Sequence, residues 1–366
     1  MSRYDYWFSC LKGISGREKR RLLGKYRSAE ALYYIEETRL KEEGISEKGL
    51  AEWRKRGQWE FQKKEEELKR KGIRLVCCHS PEYPRRLREL PGMPFALYVR
   101  GKLPADELPS VAIVGARQCT SYGETMAIRY GEALAEAGIQ VISGMAKGID
   151  SAGQRGALNG GGKSFAVLGC GADVCYPGEN RGLYRDLQVQ GGVLSEYPPG
   201  TRPLPGYFPA RNRIISALAD VVLVMEAREK SGSLITADMA LEQGRDVYAL
   251  PGAADSPLSR GCHGLIRQGA GILISPEEFL RETGWILPGK EKELAAAGAK
   301  EPDKNKKMLE NTEKLVYSKL ALYPKGKEEL LLETGLEPAR LTATLVSLEL
   351  KGYICEKAKN YYSRRG

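Results

Sequence analysis

The sequence predicts an α/β protein built on a doubly wound, mostly parallel sheet, with a small helical domain before it and a winged helix after it. Short apolar runs alternate with helix-like segments through the middle of the chain, whereas the first 70 residues are dense in Lys, Glu, Arg and Leu. The length of 366 residues also suits two or three domains, at roughly 150 residues for each.

Residues 1–70 are expected to form a helical domain that resembles a SAM or helix-hairpin-helix domain. A Gly-Ile-Ser-Gly break at 13–16 precedes apolar positions that recur at helical spacing. Such a break resembles the turn with which helix-hairpin-helix motifs bind backbone phosphates, although Ser15 stands where the usual pattern has a second glycine. The alternative is an accessory domain with a solvated basic face, and both interpretations stay open.

Residues 71–286 are expected to hold the sheet. Helix-like stretches separate several apolar runs, and the succession of strand, Gly-rich turn, helix and strand is typical of a doubly wound parallel sheet. The carboxyl ends of such strands are where ligands bind. The predicted strands are 111–114, 139–142, 164–168, 192–195, 219–225, 245–250 and 271–274.

The remainder of the chain is predicted to be a linker over 287–308 and a winged helix over 309–366. The linker loses all periodicity, and the tail has three helix-like segments followed by a short hairpin. Arg340 and Thr342 lie on the third helix, which in DNA-binding versions of this fold enters the major groove. A protein-docking module is the alternative.

The composition argues against a membrane protein and against metal chemistry. No apolar run approaches the ~18 residues of a membrane span, and the first residues lack a signal-peptide core, so a cytoplasmic location is expected. The eight cysteines are scattered without a CxxC pair and are expected to be reduced thiols. With only His79 and His263, a zinc cluster or a Ser-His-Asp triad is hard to build.

The net charge of +10 is unevenly distributed along the chain. Residues 1–72 hold 19 Lys or Arg against 13 Asp or Glu, and residues 301–366 hold 13 against 10, so the middle is close to neutral. The basic excess hints at a polyanionic partner. An anion site in the middle domain must therefore come from local arrangement.

Two Gly-rich stretches resemble nucleotide-binding motifs and fail on spacing. The GGGKS run at 160–164 has Ala157 where a P-loop needs its first glycine, and it precedes a strand. In VGARQCTSYG, at 114–123, Arg117 occupies the place of the second glycine of a dinucleotide fingerprint. A nicotinamide or flavin is therefore not expected, and no cofactor or metal is predicted.

Four segments at predicted strand ends and helix starts carry the candidate binding residues. Arg117 directly follows a strand beside free backbone amides, which suits a phosphate, while a structural arginine is an equal alternative. SGMAKGID at 143–150 and EKSGSLITA at 229–237 place a lysine among Ser and Gly where a helix begins. GYFPARNRII at 206–215 adds a ring, two arginines and an asparagine. Together these segments indicate one binding edge.

Several phosphate cradles with an exposed ring favour a nucleic-acid strand over a mononucleotide. A base stacked on Phe208 would contribute ~1–3 kcal/mol whatever the sequence, although Phe208 could instead be a core ring under its loop. Asp150, Glu196 and Glu226 also lie near strand ends. Nothing in their spacing pairs them, so capping and arginine-pairing roles are favoured over acid–base catalysis.

Ordered motifs across residues 80–285 carry a family resemblance: YPRRLREL, VAIVGAR…SYG, SGMAKGID, AVLGCGADVCYP, GGVLSEYPPG, FPARNRII, EAREKSGSLITADMALEQGRDVYALPG and GLIRQGA. They resemble the bacterial DNA-processing protein A family (DprA, also called Smf). The resemblance implies an extended Rossmann-like domain, often with an N-terminal helical domain and a C-terminal winged helix.

The resemblance also implies a single-stranded DNA-binding protein that is not an enzyme. Such proteins protect incoming strands in natural transformation, help to load the RecA recombinase and work as homodimers. It implies that Arg117 and the Lys230–Ser233 turn hold phosphate, that Arg211 and Arg213 line the same basic pocket, and that Phe208 lies against a base. Together with the segments above, the predicted DNA-binding residues are Arg117, Ser121, Ser143, Gly144, Lys147, Phe208, Arg211, Asn212, Arg213, Lys230, Ser231, Gly232, Ser233 and Thr236. The sequence departs from the family pattern at Gln154, His263 and Pro205, the last replacing a lysine of some members.

Two other functions remain as alternatives. Nucleotide phosphoribohydrolases share related folds, and Glu226 beside a Gly-Ser turn could serve hydrolysis. A nucleotide-binding sensor is the other alternative, and the arginine pair beside Phe208 favours a polymer over both. The role of the winged helix and the choice between transformation and another role such as phage defence stay open.

Overall fold

The computed structural model describes residues 2–285, 310–320 and 324–364, so the linker predicted over 287–308 lies outside the described residues. Within the described ranges, no helix combines the length and the apolar character that crossing a membrane requires. The predicted fold class is confirmed: a nine-stranded, mostly parallel sheet carries helices on both faces, and a winged helix follows it.

The chain begins with a group of short helices. Four of them start at a serine whose side chain accepts a hydrogen bond from a backbone amide of the first turn, which explains why the chain turns helical there. The helices are α1 (Arg3–Cys10), α2 (Gly16–Tyr26), α3 (Ala29–Tyr34), α4 (Glu37–Glu42), α5 (Glu47–Arg54) and α6 (Phe61–Arg70).

The central sheet has the strand order β1-β2-β6-β5-β4-β3-β7-β8-β9. Pairings β1–β2 and β2–β6 are antiparallel, and all others in this sheet are parallel. The strands are β1 (Arg74–Cys77), β2 (Ala96–Gly101), β3 (Ser110–Val114), β4 (Gln140–Ser143), β5 (Ser164–Leu168), β6 (Gly192–Ser195), β7 (Val221–Val224), β8 (Asp246–Ala249) and β9 (Gly271–Ile272).

The seven strands predicted from the sequence correspond to β3–β9, whereas β1 and β2 were missed. These two strands join the edge in antiparallel pairing, and no crossover helix marks them in the sequence. The helices around the sheet are α7 (Arg85–Arg88), α8 (Ser121–Glu136), α9 (Ile149–Asn159), α10 (Arg181–Gln190), α11 (Tyr207–Leu218), α12 (Gly232–Glu242), α13 (Arg260–Arg267) and α14 (Pro276–Glu282).

Alternate residues of the parallel strands pack on opposite faces of the sheet. Ala112 and Val114 of β3 join the core made with α11, α12 and α13. Val111 and Ile113 join the core made with α8, α9 and α14. Both faces are covered, so the strands read as continuous apolar runs, which made them recognisable in the sequence.

The chain order places a topological switch point between β3 and β7. From β3 the strands β4, β5 and β6 extend to one side, and then β7, β8 and β9 extend to the other. The loops after β3 and β7 therefore diverge at the carboxyl edge of the sheet and leave a crevice between them. This topology positions the candidate site.

The amino-terminal helices share a hydrophobic core with the antiparallel edge of the sheet. Trp7 and Phe8 of α1 belong to the same buried cluster as Phe95 and Tyr98. The Tyr98 hydroxyl also forms a 2.6 Å hydrogen bond with Ser9 Oγ. The helices and the sheet are thus joined by packing as well as by sequence.

The described part of the tail forms the predicted winged helix. Its helices are α15 (Asn311–Lys319), α16 (Lys327–Thr334) and α17 (Pro338–Leu350), and its strands are β10 (Lys325–Gly326), β11 (Ile354–Ala358) and β12 (Tyr361–Arg364), in the order β10-β12-β11. On α17, Arg340 donates to Thr312 Oγ1 at 3.2 Å and Thr342 Oγ1 donates to the Pro338 carbonyl at 2.6 Å. Both side chains therefore take part in contacts within the winged helix.

We expect Tyr98→Phe to lower the free energy of unfolding by about 1 kcal/mol, because it removes the hydroxyl that bonds Ser9 between the helices and the sheet. Urea denaturation followed by circular dichroism measures the loss. Tyr361→Phe is the matched control, since that side chain is 51% exposed. Equal stability of Tyr98→Phe and the control would show that the bond does not hold the two parts together.

Candidate functional site

A cavity of about 910 Å³ opens at the carboxyl ends of the parallel strands, at the switch point between β3 and β7. We call it the sheet-end cavity. Its walls come from the loops after β3, β4 and β7 and from the first turns of α11 and α12. The predicted site residues that line it are Arg117, Lys147, Phe208, Arg211, Asn212, Lys230, Ser231, Gly232, Ser233 and Thr236.

The prediction that Arg213 lines the same pocket as Arg211 is wrong, because Arg213 lies outside this cavity. Its Nη2 donates to both carboxylate oxygens of Glu196, at 2.9 and 2.7 Å. Arg211 and Arg213 both belong to α11, and two helical positions are separated by about 200° around the axis. The two guanidinium groups therefore face different sides of the helix and cannot line one pocket.

Three further predicted residues do not line the cavity. Ser143 is buried, and its Oγ donates to the Ile113 carbonyl at 2.6 Å, which joins β4 to β3. Gly144 lies beneath the cavity floor, where a Cβ would come within 2.5 Å of an Arg211 nitrogen. Ser121 is the first residue of α8. Ser143 and Gly144 are thus buried below the cavity, and Ser121 lies outside its lining.

Arg211 forms the floor of the sheet-end cavity and is only 5% exposed. Its Nη1 donates to the carbonyls of Gly144, at 3.1 Å, and Val167. Burial lowers the pKa of Arg211 to about 10, which still leaves it charged at neutral pH. Arg211 is therefore a structural cation that bridges the ends of β4 and β5.

Asp150 supplies the negative charge near this guanidinium. The carboxylate accepts hydrogen bonds from the amides of Gly144, at 3.1 Å, and Ala146, at 3.4 Å. Burial raises the pKa of Asp150, and the Arg211 charge and the two amides act against that rise. Asp150 thus fixes the turn between β4 and α9.

The remaining cations of the cavity are exposed. Arg117, Arg228 and Lys230 have no carboxylate partner within the described ranges, whereas Lys147 pairs with exposed Glu179. Arg228 was missed in the sequence analysis, although it stands two residues before Lys230 in the recognised EAREKSGS run. Three uncompensated cations around one opening make a positively charged rim.

The first turn of α12 completes this rim. Ser231 caps the helix, with a 2.8 Å hydrogen bond between the Ser231 and Ser233 hydroxyls. A helix start carries a partial positive charge and free amides, so it supports anion binding beside the cations already described. The Lys230–Ser233 turn and Arg117 face the same cavity, as the sequence analysis expected.

Two aromatic rings lie at the side of the cavity. Phe208 is half-buried, and its ring packs 5.5 Å from Tyr176, centroid to centroid, with 36° between the planes. The Arg117 guanidinium lies 5.5 Å from the Phe208 centroid. Tyr176, which is 42% exposed, was not singled out from the sequence. The rings provide a flat surface next to the cations.

The three carboxylates weighed for catalysis all have structural partners. Glu226 is 3% exposed and accepts from the Thr120 amide at 2.8 Å and the Thr120 hydroxyl at 2.5 Å, while Glu196 pairs with Arg213. Asp150 accepts from amides of the β4 turn, so all three carboxylates are engaged by amides, a hydroxyl or an arginine.

Among the described residues, one group has ligand atoms close enough to suggest a metal: Asp5, Cys77 and His79. His79 Nε2 lies 3.3 Å from Asp5 Oδ2. Asp5 also accepts from the Ser2 amide at 2.8 Å and so acts in the cap of α1. The group lies apart from the sheet-end cavity, and its bonds are explained by the helix cap.

Two family models match the sequence. The model of DNA recombination-mediator protein A matches residues 74–284, and the model of the DprA winged helix domain matches residues 300–358. Protein Smf of Synechocystis is 35% identical over 327 residues, which are 82% of this chain and 82% of that protein. DNA processing protein DprA of Streptococcus pneumoniae is 45% identical over 200 residues, 55% of this chain and 71% of that protein.

Solved structures agree with the family models. The X-ray structure of DNA processing protein A from Streptococcus pneumoniae superposes with a TM-score of 0.67 at 34% identity, covering 77% of this chain and 98% of that one. The structure of DNA processing protein A from Helicobacter pylori, which describes a single-stranded DNA binding mode, superposes with a TM-score of 0.53 at 29% identity. It covers 58% of this chain and 97% of that one. The likeness extends over the sheet that carries the cavity.

We expect Arg211→Ala to lower the free energy of unfolding by about 3–5 kcal/mol, because it leaves the Asp150 charge and two carbonyls buried without their cation. Chemical denaturation measures this change. Arg155→Ala is the control, since its pair with Asp186 is exposed and should contribute about 0–1 kcal/mol. If the two variants lose the same stability, Arg211 is not a structural cation.

Proposed function

This chain belongs to the DNA recombination-mediator protein A family, and from that premise we propose that it binds single-stranded DNA in the sheet-end cavity and mediates homologous recombination. The observation that carries the proposal is the rim of Arg117, Arg228 and Lys230 around an opening that also holds the first turn of α12 and two aromatic rings.

The arrangement of charge suits a strand better than a single nucleotide. The cations lie on separate loops, after β3 and after β7, and the start of α12 adds a further anion-binding position. Successive phosphates can meet successive positive groups, whereas a mononucleotide occupies one of them. Duplex DNA presents no unstacked base to the rings, so we propose a preference for unpaired strands.

The rings provide contact without sequence readout. Every base has a flat face, and stacking on Phe208 or Tyr176 would contribute roughly 1–3 kcal/mol per base. Phosphate contacts likewise carry no sequence information. A cavity of this kind is therefore suited to DNA of any sequence, as a recombination mediator requires.

The finer parts of the proposal follow the family. We propose that the protein protects incoming single strands during natural transformation, acts in the cytoplasm as a homodimer and helps to load RecA recombinase. Family membership supports these roles.

We further propose that the protein works by binding and not by catalysis. The alternative, nucleotide phosphoribohydrolysis, would need Glu226 to reach a substrate. That carboxylate is buried and both of its oxygens accept hydrogen bonds from Thr120. These contacts favour the binding role, and release of free base from nucleoside monophosphates by the purified protein would favour the enzyme.

We expect Arg117→Ala to weaken binding to oligo-dT by roughly 5- to 30-fold, because one charge-assisted phosphate contact is lost. The slope of log affinity against log salt should become less steep by about 0.7, the value for one phosphate of a single strand. Fluorescence anisotropy at several salt concentrations measures both changes.

Arg85→Ala is the matched control for this measurement. Its side chain is 82% exposed beside Asp106, before β3 begins, at the end of the strands opposite the cavity. We expect this variant to bind like the parent protein. An Arg117→Ala variant with unchanged affinity and salt slope would contradict the proposed DNA site.

We expect the protein to increase the amount of RecA bound to a single-stranded oligonucleotide, with little effect on a duplex of the same sequence. Gel shifts with and without RecA compare the two substrates. Arg117→Ala should lose the increase in proportion to its loss of DNA affinity. An equal increase on both substrates, or one that Arg117→Ala retains, would contradict loading through this cavity.

A further inference from the structure

A second cavity lies on the other side of the first turn of α11. It has a volume of about 400 Å³, and its walls come from the turn between α1 and α2, from α5 and from the loop after β6. We call it the amino-terminal cavity. Its size is within the range of small-molecule sites, roughly 300–1,000 Å³.

Three lysines line the amino-terminal cavity. Lys19 is 7% exposed, and its ammonium donates to the Ser9 carbonyl at 2.7 Å. Lys12 and Lys48 are exposed at the opening. In the part of the chain that the structure describes, none of the three has a carboxylate within ion-pair distance. The cavity thus concentrates positive charge that the described fold leaves uncompensated.

The burial of Lys19 is costly in the absence of an anion. Desolvation lowers its pKa to about 8, and Cys10 and Glu196 act in the opposite direction. An ammonium group has three donors, and one of them is used by Ser9. A bound anion would compensate the charge and accept a remaining donor.

Glu196 also lines this cavity but does not cancel the lysines. Both of its oxygens accept from Arg213 on α11, at 2.9 and 2.7 Å. Its negative charge is therefore matched by a cation outside the cavity wall. The sum of the lining charges remains positive, which favours an anionic ligand.

The Gly-Ile-Ser-Gly turn at 13–16 forms part of the wall of the amino-terminal cavity. Ser15 accepts from the Glu18 amide at 3.2 Å, and Glu18 accepts from the Ser15 amide at 2.7 Å, so this capping box uses two of the amide donors at the start of α2. Gly13 has φ +77° and packs against Gly49 of α5, where a Cβ would lie 2.9 Å from the Gly49 nitrogen. The lysines therefore carry the charge.

A stacked aromatic pair lies beside the lysines. The rings of Tyr197 and Tyr207 are 4.2 Å apart, centroid to centroid, with 25° between their planes. Ammonium groups suit a phosphate, and a flat aromatic surface suits a base. The combination matches the chemistry of a nucleotide.

Tyr207 and Phe208 connect the two cavities. They are consecutive residues in the first turn of α11, yet Tyr207 lines the amino-terminal cavity and Phe208 lines the sheet-end cavity. The first turn of α11 therefore forms part of the wall of both cavities, and a strand that crosses this turn would pass from one cavity to the other.

We propose that the amino-terminal cavity binds a further nucleotide of the same single strand, with its phosphate at Lys12, Lys19 and Lys48 and its base beside Tyr197 and Tyr207. This inference rests on the proposed function, since it extends the path of the strand from the sheet to the amino-terminal helices. The ligand chemistry is a nucleotide phosphate, which a strand or a free nucleotide could supply.

The test compares oligo-dT of about 4 and about 16 nucleotides, the range of lengths that single modules cover. The double variant Lys12→Ala/Lys48→Ala removes exposed lysines only, so folding should be unaffected. We expect it to bind the short oligomer normally and the long one roughly 5- to 30-fold more weakly, with a salt slope less steep by about 0.7, the value for one phosphate. Lys63→Ala/Lys69→Ala, on α6, is the control for net charge.

Photocrosslinking gives the position of the strand independently of affinity. A long oligomer with 5-iodouracil at successive positions should crosslink to Tyr207 or Tyr197 from one base and to Phe208 or Tyr176 from another. Mapping by mass spectrometry reads out both sites. Crosslinks restricted to the sheet-end cavity would overturn the inference.

Failure of this inference differs from failure of the proposed function. If Lys12→Ala/Lys48→Ala binds the long oligomer like its control while Arg117→Ala weakens both lengths, the sheet-end site stands and the inference is overturned. If Arg117→Ala weakens neither length, the proposed function fails. If thymidine monophosphate alone blocks the Tyr207 crosslink at concentrations that leave long-oligomer affinity unchanged, the cavity takes a free nucleotide and the strand path is overturned.

Discussion

The buried guanidinium of Arg211 sets the geometry on which the candidate site depends. It holds the end of β5 through Val167 and the end of β4 through Gly144, next to the buried carboxylate of Asp150. No side chain larger than hydrogen fits at Gly144, because a Cβ would meet both charged groups. Arg211 thus has a structural role, whereas the cations of the rim, Arg117, Arg228 and Lys230, are exposed.

The charged side chains of the site fall into two classes: those that are buried or paired within the fold, and those that are exposed to a ligand. Arg211 and Arg213 belong to the same helix as Phe208, but Arg211 is buried and Arg213 pairs with Glu196. Arg117, Arg228 and Lys230 carry the charge that a ligand can meet. A domain close to neutral overall can therefore present a positive opening, because the buried or paired carboxylates Asp150, Glu196 and Glu226 are engaged by backbone amides, Arg213 and Thr120.

Much of this arrangement is encoded in short-range sequence patterns, and the rest is not. Apolar runs such as 111–114 and 219–225 predicted central strands because both faces of these strands are buried. The residues that follow them lie at one edge of the sheet, since the strands are parallel. β1 and β2 escaped prediction because they pair antiparallel at the edge. Arg213 was misplaced because proximity in sequence was taken for proximity in space, against the periodicity of a helix. Tyr176 reaches the site through a loop that no periodicity describes.

The shared core of the amino-terminal helices and the sheet edge limits how the molecule can be divided. Trp7 and Phe8 pack against Phe95 and Tyr98. A fragment starting at residue 71 would therefore expose a hydrophobic patch at the edge of the sheet to water and would tend to aggregate. The tail has a compact interior of its own around Val316 and Leu345. Removing the carboxyl-terminal winged helix should accordingly disturb the fold less than removing the amino-terminal helices, which cover the edge of the sheet.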